Sequence, residues 1–264
     1  MAIPLATQAK VIVTIWKNMR IQLINPNTTD DMTAKMAVAA RQVASAGTHI
    51  LAVQSLTGPA SIESASDEAL ALPGLLAQIQ AGEAMGVDAH VIACFGDPGL
   101  RAAREMARAP VIGIAEAAMQ VACLVSASFS IVTTLARTVP TAERLLHDYG
   151  MVGRCRRVRA TGIAVLELEA QTSHALKQKI RAECERALAE DGVGAIVLGC
   201  AGMADLCAEL TGQLGVPVID GVTSAIKLAE ALVGLGMRTS KQGDYAPPLA
   251  KLYTGPMAQF APAA

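Results

Sequence analysis

Val91-Ile92-Ala93-Cys94-Phe95-Gly96 and, 106 positions later, Val197-Leu198-Gly199-Cys200-Ala201-Gly202 carry one pattern twice. In each, an apolar run of strand character ends at a cysteine, a glycine stands two residues on, and a helical pattern follows. Two further landmarks repeat at nearly the same distance. Pro110-Val111-Ile112-Gly113 matches Pro217-Val218-Ile219-Asp220 at 107 positions. Ile21-Gln22-Leu23-Ile24-Asn25, followed by Thr28-Thr29, matches Ser130-Ile131-Val132-Thr133-Thr134 at 108, counted from Leu23 to Ile131. Three landmarks agreeing within two residues indicate a duplicated chain.

Within each half, short β-branched runs alternate with longer helical stretches. Strands are expected near 20–25, 48–54, 89–94 and 111–114, then near 129–134, 156–161, 194–198 and 217–219. Helices are expected over 30–45, 67–85, 98–108 and 115–125, then over 138–149, 173–190, 202–211 and 221–235. Such alternation predicts an α/β fold with parallel sheets and right-handed crossovers. The duplication makes it two pseudo-twofold-related lobes, each a parallel sheet flanked by helices, with the active site in the cleft between them. The helix over 115–125 is expected to cross between lobes and the one after Ile219 to return. The expected division is therefore 19–115 plus 222–264 for the first lobe and 116–221 for the second. Residues 1–18 read as a disordered extension outside the repeat, with Met19 standing directly before the first strand. The tail from Arg238, with Pro247-Pro248, Gly255-Pro256 and Pro262, reads as irregular.

Composition narrows the function class. Of 264 residues, 52% are hydrophobic but only 3% aromatic, so the core must be built from Ala, Val, Leu and Ile, as in a buried parallel sheet. The mean hydropathy is +0.40. A net charge of −1 gives no footprint for nucleic acid or an anionic membrane surface. The local exception, Arg154, Arg156, Arg157 and Arg159, reads as a solvated or subunit-facing surface. No run approaches the roughly 18 apolar residues of a membrane helix, and Val11 to Trp16 is too short for a signal-peptide core. Six cysteines without a secretory pattern read as reduced thiols of a cytoplasmic protein.

Both Cys94 and Cys200 fall at carboxyl ends of expected strands, where open α/β sheets bind ligands. A thiol there, at the start of a helix, is expected to have its pKa lowered by the helix dipole. A base of that kind suits removal of a proton beside a carbonyl, with backbone N–H groups of Phe95-Gly96 and Ala201-Gly202 steadying the enolate oxygen. Two like thiols from a duplicated fold suggest one acid and one base on opposite sides of a small-molecule substrate. Cys123, Cys155, Cys184 and Cys207 have no partner at the repeat distance and read as small core hydrophobes. Asn25, at the head of Asn25-Pro26-Asn27-Thr28-Thr29, reads either as a substrate contact or as part of a capped turn. Thr133 and Thr134 hold the equivalent place in the second half and read as substrate contacts. Asp97 reads as a cap of the next helix, and Glu116 either faces the cleft or sits in a first helical turn. His49, His90, His147 and His174 show no ligand spacing, and neither a Walker A sequence nor a GxGxxG after a strand is present. No metal and no cofactor is expected.

Five stretches resemble the hydantoin racemases of the aspartate/glutamate racemase superfamily: Ile24-Asn25-Pro26-Asn27-Thr28-Thr29, Ala93-Cys94-Phe95-Gly96-Asp97-Pro98-Gly99, Gly113-Ile114-Ala115-Glu116-Ala117, Val132-Thr133-Thr134-Leu135 and Leu198-Gly199-Cys200-Ala201-Gly202-Met203. The resemblance runs from about residue 20 to the C-terminus. It implies a cofactor-independent two-base racemase of 5-substituted hydantoins, or of allantoin, with Cys94 and Cys200 as the catalytic pair and a homo-oligomeric assembly. Asn25, Phe95, Gly96, Thr133, Thr134, Ala201 and Gly202 are the expected substrate-binding residues. Phe95 and Ala201 stand where amino-acid racemases of the superfamily carry small hydroxyl or amide residues, which suits a flatter, uncharged ring. Retention of both cysteines argues against the superfamily's one-cysteine decarboxylases. A maleate-type isomerase and a non-catalytic two-lobed binding module are the remaining alternatives.

Overall fold

The computed structural model describes residues 18–169 and 173–262; the expected extension over 1–18 lies outside them except for Asn18. Four strands come from the first half: β1 (Met19–Asn25), β2 (Thr48–Gln54), β3 (Ala89–Ile92) and β4 (Val111–Gly113). Four come from the second: β5 (Phe129–Thr133), β6 (Cys155–Ala160), β7 (Ala195–Leu198) and β8 (Val218–Ile219). The sheets run β2-β1-β3-β4 and β6-β5-β7-β8, so the strand order is the same in both. Every pairing is parallel. Leu23 sits between Ala52 and Val91, and Ile131 between Val158 and Val197, so the sequence repeat is also a register repeat. Helices on both faces explain why β3, β5 and β7 are buried along their whole length and are mostly apolar, with His90 and Ser130 among the buried polar exceptions.

The helices are α1 (Asp30–Val43), α2 (Ala65–Met85), α3 (Leu100–Met106), α4 (Ile114–Val125), α5 (Val139–Asp148), α6 (Val165–Glu169), α7 (His174–Asp191), α8 (Cys207–Leu214) and α9 (Gly221–Gly234). Their ends follow ordinary capping chemistry. Ser64 accepts the Asp67 N–H at the start of α2, Ser173 accepts the Leu176 N–H at the start of α7, and Asp220 accepts the Thr223 N–H at the start of α9.

Two helices tie the halves together. Although α4 leaves the first sheet, its Ala118, Met119 and Ala122 pack with Phe129, Ile131, Ala195 and Val197 of the second. Conversely, α9 leaves the second sheet and packs Val222, Ala225, Ile226 and Ala229 with Ile21, Leu23, Val91 and Ile112 of the first. The two helices start against each other. A Cβ on Gly221 would lie 2.3 Å from the Ile114 carbonyl oxygen, so only glycine fits there.

Several expectations need correction. The helix expected over 98–108 is confined to α3, because the chain from Cys94 to Gly99 is taken up by tight turns. The helix expected over 202–211 is a 3-10 helix, Ala201–Leu206, followed by α8. The short helix α6 was not expected from the periodicity. Arg159 is not surface: it is buried, with its guanidinium on Asp191 at 2.6 and 2.7 Å, Glu190 at 2.7 Å and Glu183 at 3.3 Å. Arg154, Arg156 and Arg157 are exposed. The chain after residue 238 forms 3-10 turns at Gly243–Tyr245 and Gly255–Phe260 amid irregular structure. Among the described residues, no helix is long and apolar enough to cross a membrane.

Candidate active site

Cys94 follows β3 by one residue past Ala93, and Cys200 follows β7 past Gly199, so each thiol stands at the carboxyl end of the same strand of its sheet. Both line one cavity of about 700 Å³, its open mouth included, within the size range of small-molecule sites. Ala93, Phe95 and Gly96 flank Cys94 there, and Gly199 and Ala201 flank Cys200. The end of β5 contributes Thr133 and Thr134. Thr133 Oγ1 lies 3.2 Å from the Gly199 carbonyl oxygen and 3.1 Å from the Thr138 hydroxyl. A Cβ on Gly199 would meet Thr133 Cβ at 2.9 Å, so the glycine lets the two strand ends approach. Thr134, in contrast, makes no side-chain hydrogen bond within the described chain, which leaves its hydroxyl available to a ligand.

Of the residues expected to meet substrate, Phe95, Gly96, Thr133, Thr134 and Ala201 line this cavity, whereas Asn25 and Gly202 do not. Asn25 is buried and its amide is fully used. Nδ2 donates to Asn27 Oδ1 at 2.7 Å, Thr33 Oγ1 at 3.0 Å and the Thr29 carbonyl at 3.2 Å, while Oδ1 accepts the Asn27 N–H. The turn thus presents Asn27 to the cavity in place of Asn25. Gly202 is buried inside the 3-10 helix that follows Cys200.

Other lining residues escaped the sequence reading because they come from a loop and from helix starts without a motif. Ile62, Glu63, Ser64 and Glu68 bring the start of α2 to the cavity, and Met32 and Val165 add apolar wall. Glu63 Oε1 accepts the Val165 N–H at 2.8 Å, and Glu68 pairs with Arg144 at 3.2 Å, so this loop grips the second half across the opening. The only hint in the sequence was the Ser64–Asp67 cap.

The electrostatics correct a second expectation. Cys94 is partly open to the cavity but walled by protein. Burial pushes its thiol up to about 12, and the nearby Cys200, Asp97 and Glu68 act in the same sense, while a hydrogen bond from the Gly96 N–H opposes them. Cys94 does not stand at the start of a helix as expected, because α3 begins only at Leu100, six residues on. Cys200 differs in setting: it directly precedes its 3-10 helix and its carbonyl accepts the Met203 N–H at 3.1 Å. Asp97 does not cap the next helix, as expected, but the one after: it accepts the Ala115 and Glu116 N–H groups of α4. Glu116 turns away from the cavity to pair with Arg104. All six cysteines are thiols, and Cys184 and Cys207 are buried in the second core as expected. Among the described residues, no group of three or more His, Cys, Asp or Glu side chains is placed to hold a metal ion.

A family model described as Asp/Glu/Hydantoin racemase matches residues 21–229. A hydantoin racemase of Rhizobium meliloti is 54% identical over 237 residues, which is 90% of this chain and 98% of that protein. A hydantoin racemase of Pseudomonas sp. (strain NS671) is 47% identical over 242 residues, covering 92% and 97%. The solved structure of an allantoin racemase from Klebsiella pneumoniae superimposes with a TM-score of 0.90 at 54% identity, over 93% of this chain and all of that one. Since the matched span takes in both sheets, both helices that cross between them and both cysteines of the cavity, this chain belongs to the Asp/Glu/hydantoin racemase family of isomerases.

Proposed function

We propose that the protein racemises 5-substituted hydantoins by a two-base mechanism in which Cys94 and Cys200 exchange roles. What supports this reading is a single cavity lined by both thiols, one from each half of a duplicated fold. The C5–H of a hydantoin is flanked by a ring carbonyl and a nitrogen. One cysteine, as thiolate, takes this proton and becomes a thiol; the other, as thiol, gives a proton to the opposite face and becomes a thiolate. The planar intermediate carries its charge on the ring carbonyl oxygen, where preorganised donors lower its energy. Backbone N–H groups beside Phe95 and Ala201, with the hydroxyls of Thr133 and Thr134, are the assigned donors and contacts. No step calls for a cofactor. We assign residues 19–115 with 222–264 to one lobe and 116–221 to the other; the packing of α4 and α9 on the opposite sheets supports that division. A cytoplasmic homo-oligomer completes the reading.

Replacing Cys94 or Cys200 by serine is expected to reduce racemisation by at least ~10²-fold, the usual worth of a positioned acid–base group. Racemisation in D2O is expected to place deuterium at C5. Either variant turning over near the wild-type rate, or product without solvent label, would reject the two-base assignment. Allantoin, a 5-ureidohydantoin, is the second substrate reading. It is favoured by the Klebsiella structure at 54% identity and by the acceptors Glu63, Ser64 and Glu68 at the cavity, which suit ureido N–H groups. Comparing kcat/KM for allantoin and for 5-alkyl hydantoins decides between them.

A further inference from the structure

We propose that Asp97 is a positioning residue for Cys94, tying the turn that carries the thiol to the helix shared by the two halves. The proposal rests on the reading of Cys94 as one of the two bases. Asp97 is three residues past Cys94 and belongs to the same tight turn: its N–H donates to the Cys94 carbonyl at 3.0 Å. Its backbone adopts φ +43°, a left-handed conformation that a residue with a side chain adopts rarely and holds only when surrounding bonds enforce it. Besides that backbone bond, the bonds that hold it end on its buried carboxylate. Oδ1 accepts the Ala115 N–H at 3.0 Å; Oδ2 accepts the Glu116 N–H at 2.9 Å and the Tyr149 hydroxyl at 2.6 Å. One carboxylate therefore joins the Cys94 turn to the start of α4 and to a tyrosine just past the end of α5, in the second half.

The comparison between the halves makes this more than an ordinary helix cap. Position 113 and position 220 correspond in the repeat. In the second half Asp220 stands at that position and caps its own helix, α9, through the Thr223 N–H at 2.8 Å. In the first half the position is Gly113, and a Cβ there would lie 2.3 Å from Asp97 Cγ. The carboxylate of Asp97 thus occupies the space that a capping side chain at 113 would fill. In effect, the cap of α4 has moved from the helix to the cysteine turn. The second half has no carboxylate at the corresponding place: the residue 106 positions after Asp97 is Met203, buried among apolar side chains. Asp97 itself does not line the cavity that holds the thiols; it lines the neighbouring one with Arg104, Glu116 and Tyr149. It acts on the reaction through the placement of Cys94.

The test uses Asp97→Asn and Tyr149→Phe in the full chain, with two readouts. In steady-state racemisation, Asp97→Asn is expected to lower kcat by about 10–100-fold and Tyr149→Phe by about 3–10-fold, with KM within about threefold of wild type, since misplacing a reacting group by an ångström costs rate more than binding. Independently of any substrate, iodoacetamide alkylation followed by mass spectrometry is expected to speed up about tenfold at Cys94 and to stay within about twofold at Cys200, because loosening the turn exposes only the first thiol. Equal acceleration at both thiols would mean general loosening and would overturn the proposal. So would unchanged alkylation at Cys94 in a folded variant. If Asp97→Asn does not fold, Tyr149→Phe decides alone by the same readouts. If the wild type racemises no hydantoin, the alkylation arm still decides the placement, so the two ideas fail separately.

Discussion

Raising the pH from 7 to 10 while following alkylation of Cys94 measures how strongly its surroundings disfavour charge. Burial, reinforced by Cys200, Asp97 and Glu68, moves this thiol from 9.0 up to about 12. At pH 8 an ordinary thiol of pKa near 9 is about one-tenth thiolate, whereas a thiol near 12 is thiolate in roughly one molecule in 10⁴. The difference is about 4 kcal/mol in the cost of charging the sulphur, an order-of-magnitude figure. Cys94 should therefore react with iodoacetamide about 10³-fold more slowly than glutathione in the same mixture, and its rate should climb about tenfold per pH unit without levelling. The assay is quantitative mass spectrometry of the peptide bearing Cys94, with short exposures at each pH. A plateau between pH 8 and 9 would refute the account, since it would mean that the thiol titrates normally despite its walls. On the proposed two-base reading, the free protein would hold Cys94 in the thiol form, the form that donates a proton.

Asn25→Ala should lower the unfolding midpoint, because it leaves the buried Asn27 N–H without its acceptor and removes the Nδ2 donor to Asn27 and Thr33, whereas Asn27→Ala, at the cavity wall, should raise KM. Thermal melts and kinetics on the two variants separate these roles. Arg159→Met should destabilise by about 3–5 kcal/mol in denaturant titration, since it takes both close guanidinium bonds from the buried Asp191 carboxylate and leaves it Ser130 and the distant, exposed Arg157, while Arg157→Met should cost under about 1 kcal/mol. Gly221→Ala should lower the midpoint sharply, because its methyl would meet the Ile114 carbonyl at 2.3 Å where two backbones touch. Burial alone would raise Glu83, but His90 and the N–H groups of Arg108 and Ala109 outweigh it and hold its carboxyl down at about 2. A depressed folded pKa stabilises above the unfolded value, so this contribution should be complete above about pH 4.5 and vanish as pH falls toward 2. Glu83→Gln should flatten that part of the acid melting profile.

The duplicated pattern around Cys94 and Cys200 was enough to read the fold class, because strand order in such sheets follows from alternation and right-handed crossover, and a repeat forces both sheets to share it. The same pattern brought the two thiols to the carboxyl ends of matching strands. Reading the turn after β1 failed at the level of single residues: Asn25 and Asn27 stand two apart, which strand alternation would put on one face, but the chain bends after Asn25, and Thr33 in the first turn of α1 holds the Asn25 amide inside while Asn27 reaches the cavity. Glu63, Glu68 and Val165 were illegible for another reason. They reach the cavity from a loop and from the first turns of α2 and α6, whose placement is set by contacts made across the opening, and no local periodicity encodes that.

Local sequence determined where chain direction changes, which segments are strands, and that two cysteines are equivalent by descent. It could not decide their acidity. A thiol's pKa depends on how much water the completed fold leaves around it and on which carboxylates it brings near, and both are sums over residues far apart in the chain. Only the tertiary structure could show that Arg159 is buried against Asp191, and that Asp97 rather than residue 113 caps the helix joining the halves.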